Sequence, residues 1–431
     1  MYRIALIFSF LIVQIAAVFG QDTLRMNRKD AEAVFLKQNL LLLAERLNIP
    51  KAEAELQQAK LWPNPTFTFD QVNLWATDHQ TKGQEVVPPL WGNFGKNQQF
   101  AIEIEQLIQT AGKRKKLMAL EQVSADKAEQ YFEDLLRNLK LEFRNQLTEL
   151  QYIQRNQFIL EKQLRSIRQL TTSYEKQVKE GNIPQSEWVR LKAQEIEIAK
   201  DRNDWRMQSN QAQSRLKTLM HMPPQLTLLI ADQDFDTIPE AKEPLHTDRL
   251  LAQAKEIRPD LKLAALEKVY SDKRYQYERA KRIPDFSLKA AYDRNGSVML
   301  DFVGFGVAMD LPLFNRNQGH IKAAEIGREQ AKINAQKAVS SAENDLVNAY
   351  ENYLSTASFR KQIAPGYAKT LDEMLKAYTR NFQRSNLSML EYLDFLDAYL
   401  ANQKSILEAN KAVRNAAEEL NYAVGTDIVQ Y

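Results

Sequence analysis

The sequence contains no cysteine, and only 13 glycines and four histidines among 431 residues. Without cysteine no disulfide can form, and no lipid can be attached at a mature N-terminal cysteine. Few histidines and no thiols argue against a resident metal centre, and no cofactor is expected. Glycine falls well below its average share of roughly 7%, which disfavours a turn-rich all-β protein and suits long helices. Charge of one sign is also lacking: Lys and Arg exceed Asp and Glu by only three. No basic stripe with interleaved aromatics is present, so nucleic acid is not a partner. After residue 20 no stretch approaches the ~20 apolar residues of a membrane helix. No Ser-His-Asp order, P-loop or G-x-G-x-x-G after a strand is present, so catalysis is not expected.

The first twenty residues have a different character. Arg3 supplies a positive start, and Ile4 to Phe19 is apolar apart from Ser9 and Gln14. Val18 and Gly20 stand at the two positions a signal peptidase reads, which makes residues 1–20 a secretory signal and Gln21 the mature start. The protein is therefore exported without a helical anchor. It is periplasmic, secreted, or a β-barrel of an outer membrane.

Length alone would suggest two or three globular domains, but the mature chain repeats itself. Ala59-Lys60-Leu61-Trp62-Pro63-Asn64-Pro65 precedes an alternating run, and so does Ala280-Lys281-Arg282-Ile283-Pro284-Asp285. Tyr174 to Trp188 matches Tyr378 to Tyr392, with Tyr, Asn and an aromatic at the same spacing. The domains expected are the signal (1–20), a first repeat (21–222), a linker (223–259) with five prolines and a short strand at Leu226–Ile230, and a second repeat (260–431). The first repeat reads as a helix at about 27–61 ended by Pro63 and Pro65, strands at 66–75 and 98–107, and a loop at 76–97. A helix at 113–180 and another at 186–221 follow, with a break at Gly181–Pro184. The second reads as helix 260–282, strands 285–293 and 300–311, helix 317–383, a break at Ser385-Asn386, and helix 388–423. The longest helix would span roughly 100 Å at 1.5 Å per residue.

The strands alternate. Phe100, Ile102 and Ile104 share one face, with Glu103 and Glu105 on the other. Phe286, Leu288, Ala290 and Tyr292 lie opposite Lys289 and Asp293. Val303, Phe305, Val307, Met309 and Leu311 lie opposite Gly304, Gly306 and Ala308. Phe67 and Phe69 alternate before the pattern slips at Asp70-Gln71-Val72. Ten residues is the length of a tilted barrel strand, and Trp75 and Trp91 would suit an interfacial girdle. The pattern alone fits equally well two ordinary hairpins packed on helices in a soluble protein. If the strands lie in lipid, four cannot close a barrel, and open edges would leave amides unpaired. Several copies must then share one barrel.

The order of elements, the Pro-broken strand entries, Gln106-Leu107 with Gly112-Lys113-Arg114, Leu311 to Gly319 and Tyr378 to Ala398 resemble the TolC family of outer-membrane efflux proteins. Ala59–Pro65 looks most like its heavy-metal (cobalt-zinc-cadmium) subgroup, whose members are often lipidated. The chain departs from the family at Ser385, where Gly is usual. The resemblance implies a mainly α fold with a small β part: a long-helix α-barrel and four strands given to a shared 12-stranded outer-membrane barrel. It implies a homotrimer, a periplasmic adaptor partner, an inner-membrane transporter such as a proton-driven pump, outer-membrane lipid around the barrel, and passive export of metal ions or drugs. Competing readings are a periplasmic adaptor and a coiled-coil scaffold without a pore.

Candidate residues follow. Gly181, Asn182 and Ile183, with Ser385, Asn386 and Leu387, would form adaptor-docking tip turns. Glu391 and Asp394, three apart on one helix face, would ring the closed end of the tunnel, with Asp397 a less aligned third acid. Glu103, Glu105, Lys289 and Asp293 would line the barrel lumen. Met220-His221-Met222 reads as a packed helix end, since three consecutive helix residues point in different directions.

Overall fold

A computed structural model describes residues 23–70, 100–231, 234–241, 243–294 and 301–430. The signal segment, the loop at 76–97, Trp75 and Trp91 lie outside the described residues. Strand β1 (Thr23–Met26) leads into helices α1 (Arg28–Gln38), α2 (Leu40–Arg46) and α3 (Asn48–Ala59). Strands β2 (Thr66–Asp70) and β3 (Phe100–Ile108) follow, then α4 (Lys113–Lys179) and α5 (Gln185–Met220). A connecting stretch holds β4 (Thr227–Ile230), a 3-10 turn at Asp234–Asp236, β5 (Glu240–Ala241) and α6 (Thr247–Ile257). The second half runs α7 (Pro259–Lys281), β6 (Phe286–Arg294), β7 (Asp301–Met309), α8 (Gln318–Gln362), α9 (Tyr367–Gln383), α10 (Met389–Val424) and β8 (Val429–Gln430). No described helix is long and apolar enough to cross a membrane.

Three expectations need correction. The helix expected at about 27–61 is three helices. Asn39 adopts an extended backbone and its side-chain oxygen accepts from the Leu42 amide at 2.9 Å, which restarts the chain as α2. The helix expected at 317–383 is two. Pro365 withdraws an amide and Gly366 takes φ +82° at the start of α9. The stretch at 223–259 is more than a linker: α6 forms between its prolines and buries Leu250 and Ala254.

The chain divides into two compact units. One comprises Met1–Glu45, Phe132–Pro259 and Ser340–Tyr431, the other Arg46–Tyr131 and Asp260–Val339. Each therefore draws on both halves of the sequence. The first unit holds three apolar clusters. One packs Phe35 on Phe143 as parallel rings 4.4 Å apart, with Leu147, Leu150 and Met220. A second joins α4, α5, α9 and α10 through Leu164, Ile167, Leu191, Phe382, Tyr392 and Tyr399. The third sets α6 and α8 against the end of α10.

A charged knot accompanies them. The Arg144 guanidinium donates to both Glu32 oxygens (2.9 and 3.1 Å), both Asp427 oxygens (2.7 and 3.0 Å) and Glu418 (3.0 Å). Glu418 is buried, so the pairing offsets a desolvation cost that would otherwise be several kcal/mol. The Arg144 hydrogen bonds hold the Asp427 carboxyl below its usual range. Downstream, the Asn421 side-chain oxygen accepts from the Ile428 and Val429 amides, and β8 pairs antiparallel with β5.

The second unit contains the four-stranded antiparallel sheet, in the order β2-β3-β6-β7. Strands β2 and β6 enter through Pro63, Pro65 and Pro284, because the residue before a proline avoids the helical region. The entry to β6 is pinned by Asp285, which pairs with Lys113 at 2.8 Å and accepts from the Thr110 amide at 2.7 Å.

Candidate channel lining and tip turns

Directly paired residues of an antiparallel sheet share a face, so the register sorts the side chains. One face carries the rung Phe69, Ile102, Tyr292, Val303, and next to it Phe67, Ile104, Ala290, Phe305. Phe305 is 85% exposed and Val307 70%. Such a contiguous apolar surface is what a monomeric soluble protein avoids, and two hairpins packed on helices would have buried it. The opposite face carries Thr66, Glu105, Lys289 and Gly306 on one rung and Thr68, Glu103, Ala291 and Gly304 on the next. Lys289 Nζ lies 2.8 Å from Glu103 and 3.1 Å from Glu105. Three of the four expected lumen residues are thus one ion-paired group. Asp293 shares their face two residues along, opposite Ala101. Strands β2 and β7 end the sheet, and their outer edges have no strand partner among the described residues.

The two tips lie in the other unit and have the same backbone. Helix α4 ends with Gly181 at φ +75°, and the Asn182 amide donates to Gln177 O at 2.9 Å. Helix α9 ends with Ser385 at φ +59°, and the Asn386 amide donates to Asn381 O at 2.9 Å. Both are left-handed stops of the Schellman kind. Ser385 therefore adopts the geometry Gly181 has, at a steric cost that glycine avoids. Asn182 and Asn386 are exposed, while Ile183 and Leu387 are half-buried.

The next helices start differently. Pro184 precedes α5 and offers no side-chain cap. Ser388 caps α10: its hydroxyl accepts from the Glu391 amide, and Glu391 Oε2 accepts from the Ser388 amide at 2.8 Å and from its hydroxyl at 2.7 Å. The Ser388 side-chain and backbone bonds lower the Glu391 carboxyl from its ordinary value. The two acids Glu391 and Asp394 are exposed on α10, and Glu391 is engaged at the helix start. Asp394 makes no ion pair or hydrogen bond among the described residues. Asp397 accepts from Gln194 of α5 at 2.8 Å, and burial, with nearby Asp394 adding, raises its carboxyl.

Behind the tips, Tyr174 of α4 stacks on Phe382 of α9 (5.6 Å), and Phe382 on Tyr392 of α10 (4.7 Å). This column ties the two helical hairpins together. Its members were visible in the repeated Tyr-to-aromatic segments, but their convergence was not. The Ser-x-x-Glu signature of the cap, Ser388 to Glu391, was also present and overlooked. Met220 is buried in the core, Met222 packs beside it, and His221 is exposed at φ +49°, so the three do not converge.

The described residues thus combine a sheet with one exposed apolar face, built from strands of five and nine residues, with helices of up to 67 residues. The family model described as outer membrane efflux protein matches residues 250–426. No curated protein matches the sequence. The fold is similar to that of CusC, at 19% identity and a TM-score of 0.70 over 92% of each chain. It is similar to the CmeC outer membrane channel of Campylobacter jejuni, at 15% identity and a TM-score of 0.73 over 93% of this chain and 86% of that one. It is also similar to the outer membrane protein VceC of Vibrio cholerae, at 15% identity and a TM-score of 0.68 over 93% and 96%. The family's sequence pattern thus matches the second half of the chain, and the fold of these channels extends along its length.

Proposed function

We propose that three copies of this chain form one passive duct, without catalysis, through which an inner-membrane pump, proton-driven or otherwise, exports solutes by way of a periplasmic adaptor. The observation that carries this reading is the sheet, whose apolar face is exposed and whose two outer edges have no strand partner among the described residues. Edges in hydrocarbon leave amide groups without partners. Joining β7 of one copy to β2 of the next removes every edge, and three copies supply the twelve strands of a closed barrel.

In that assembly Glu103, Glu105, Lys289 and Asp293 line the barrel lumen. The turns at Gly181, Asn182 and Ile183 and at Ser385, Asn386 and Leu387 dock the adaptor. Asp394, with Glu391 held back by its cap, rings the tunnel's far end and attracts cations. The domain division by repeats, 21–222 and 260–431 around 223–259, is kept as the arrangement that would build paired walls. The resemblance of Ala59–Pro65 to the heavy-metal subgroup makes divalent metal ions the first cargo to test, against hydrophobic drugs.

Gel migration tests the assembly. After detergent extraction, the unboiled protein should run as a trimer and shift to a monomer on boiling. A mature chain that stays monomeric and dispersed in buffer without detergent overturns the proposal. Growth of a deletion strain on zinc, copper and hydrophobic drugs then sorts the cargo.

A further inference from the structure

The end of the sheet that meets the helices is chemically unlike the other end. The register places the start of β2, the end of β3, the start of β6 and the end of β7 together. The segments leading away from that end are 60–65, 109–117, 278–285 and 310–318. They carry nine Lys or Arg against three Asp or Glu. Two of those acids are consumed internally: Asp285 by Lys113 and Thr110, and Glu278 by Lys281 and the Asn317 amide. Lys60, Lys115 and Arg282 are exposed and make no ion pair among the described residues. The far end of the sheet has the reverse balance, with Asp70, Asp293 and Asp301 against Arg294.

The same end exposes large apolar side chains. Trp62 is 59% exposed and Phe314 91%, with Leu61, Leu311 and Leu313 also open. The Arg114 guanidinium lies 3.8 Å over the Trp62 ring and donates to Lys60 O at 3.1 Å. An indole held at the surface beside cations has the character of a membrane–water interface, where the ring is half-immersed and the cation reaches headgroup phosphates. The belt is continuous with the apolar sheet face, since Leu311 prolongs the alternation of Val303, Phe305, Val307 and Met309.

We propose that this belt binds anionic phospholipid headgroups of the periplasmic leaflet and fixes the depth of the sheet in the bilayer. The proposal rests on the membrane reading given above. The partner is a phosphodiester bearing net negative charge and acyl chains. Exposed cations attract it electrostatically, while Trp62, Leu313 and Phe314 enter the acyl boundary beneath it.

Native mass spectrometry of the full-length protein in neutral detergent provides the test. Dioctanoyl phosphatidylglycerol, dioctanoyl phosphatidylethanolamine and inorganic phosphate are the probes. The wild type should retain the glycerol lipid several-fold over the ethanolamine lipid, and added salt should reduce that preference because the Debye length shortens. K60Q/K115Q/R282Q should lose most of the preference. K262Q/K332Q/K337Q, which removes three exposed lysines of α7 and α8 instead, should keep it. Equal retention of both lipids by the wild type overturns the proposal while leaving the membrane reading intact. Retention of neither lipid also overturns the proposal, and the membrane reading itself falls only if the chain stays dispersed without detergent. Equal loss in the two triple variants, or displacement of the lipid by millimolar phosphate, shows net charge or a bare anion site and overturns it too.

Discussion

The two tips share one backbone turn and reach it by different chemistry. The first uses Gly181 for the left-handed residue and leaves α5 without a side-chain cap. The second places Ser385 in the strained position and recovers stability with the Ser388–Glu391 cap. Behind them, Trp188 is half-buried, whereas its counterpart Tyr392 is fully buried between helices. The lesson is that the geometry of the turn is kept while the source of its stability is not.

The largest test of this contrast removes the anchors. Tyr392→Ala should cost about 3–4 kcal/mol of local stability through the lost aromatic packing. Trp188→Ala should cost about half as much. Amide exchange of the flanking helical turns reads the difference. Next come the left-handed residues. Gly181→Ala should destabilise the first tip by about 1 kcal/mol, and Ser385→Gly should stabilise the second by up to about 1 kcal/mol, measured by protease cleavage rates at each turn. Third, Ser388→Ala should cost about 1 kcal/mol at the start of α10. Pro184→Ser would create the same Ser-x-x-Glu pair with Glu187, and should slow exchange in the first turn of α5 by a few fold.

The smallest effect is a pH dependence. The Glu391 carboxyl is lowered by its cap, so the stability it confers is complete above the ordinary carboxylate range. That stability is lost as pH falls through the lowered value. Exchange protection at Met389–Tyr392 should therefore fall between pH 5 and pH 3, after correction for intrinsic rates. Protection at Gln185–Trp188, which has no such cap, should change less. Equal changes at both tips would show that the cap does not distinguish them.

Much of this was legible beforehand, for local reasons. Helix ends at Lys179 and Met220, and the strand faces of β3, β6 and β7, follow from Gly, Pro and alternation, which are written in neighbouring residues. The breaks at Asn39 and at Pro365-Gly366 carried local signals too, but lay inside strongly helical runs that outweighed them. The cap on Glu391 was readable and changes the standing of a residue first selected for its charge. The Arg144 knot was not readable. Its acids come from α1, α10 and the tail, and nothing near Arg144 in the sequence separates it from the other charged helix residues. The same holds for the ion-paired group of Lys289, which needed the register of β3 on β6.

Arg144 also makes remote stretches of the chain depend on one another. It joins Glu32, from the first helix, to Asp427, beyond α10, so the grip on the first helix is complete only when the stretch that follows α10 has docked.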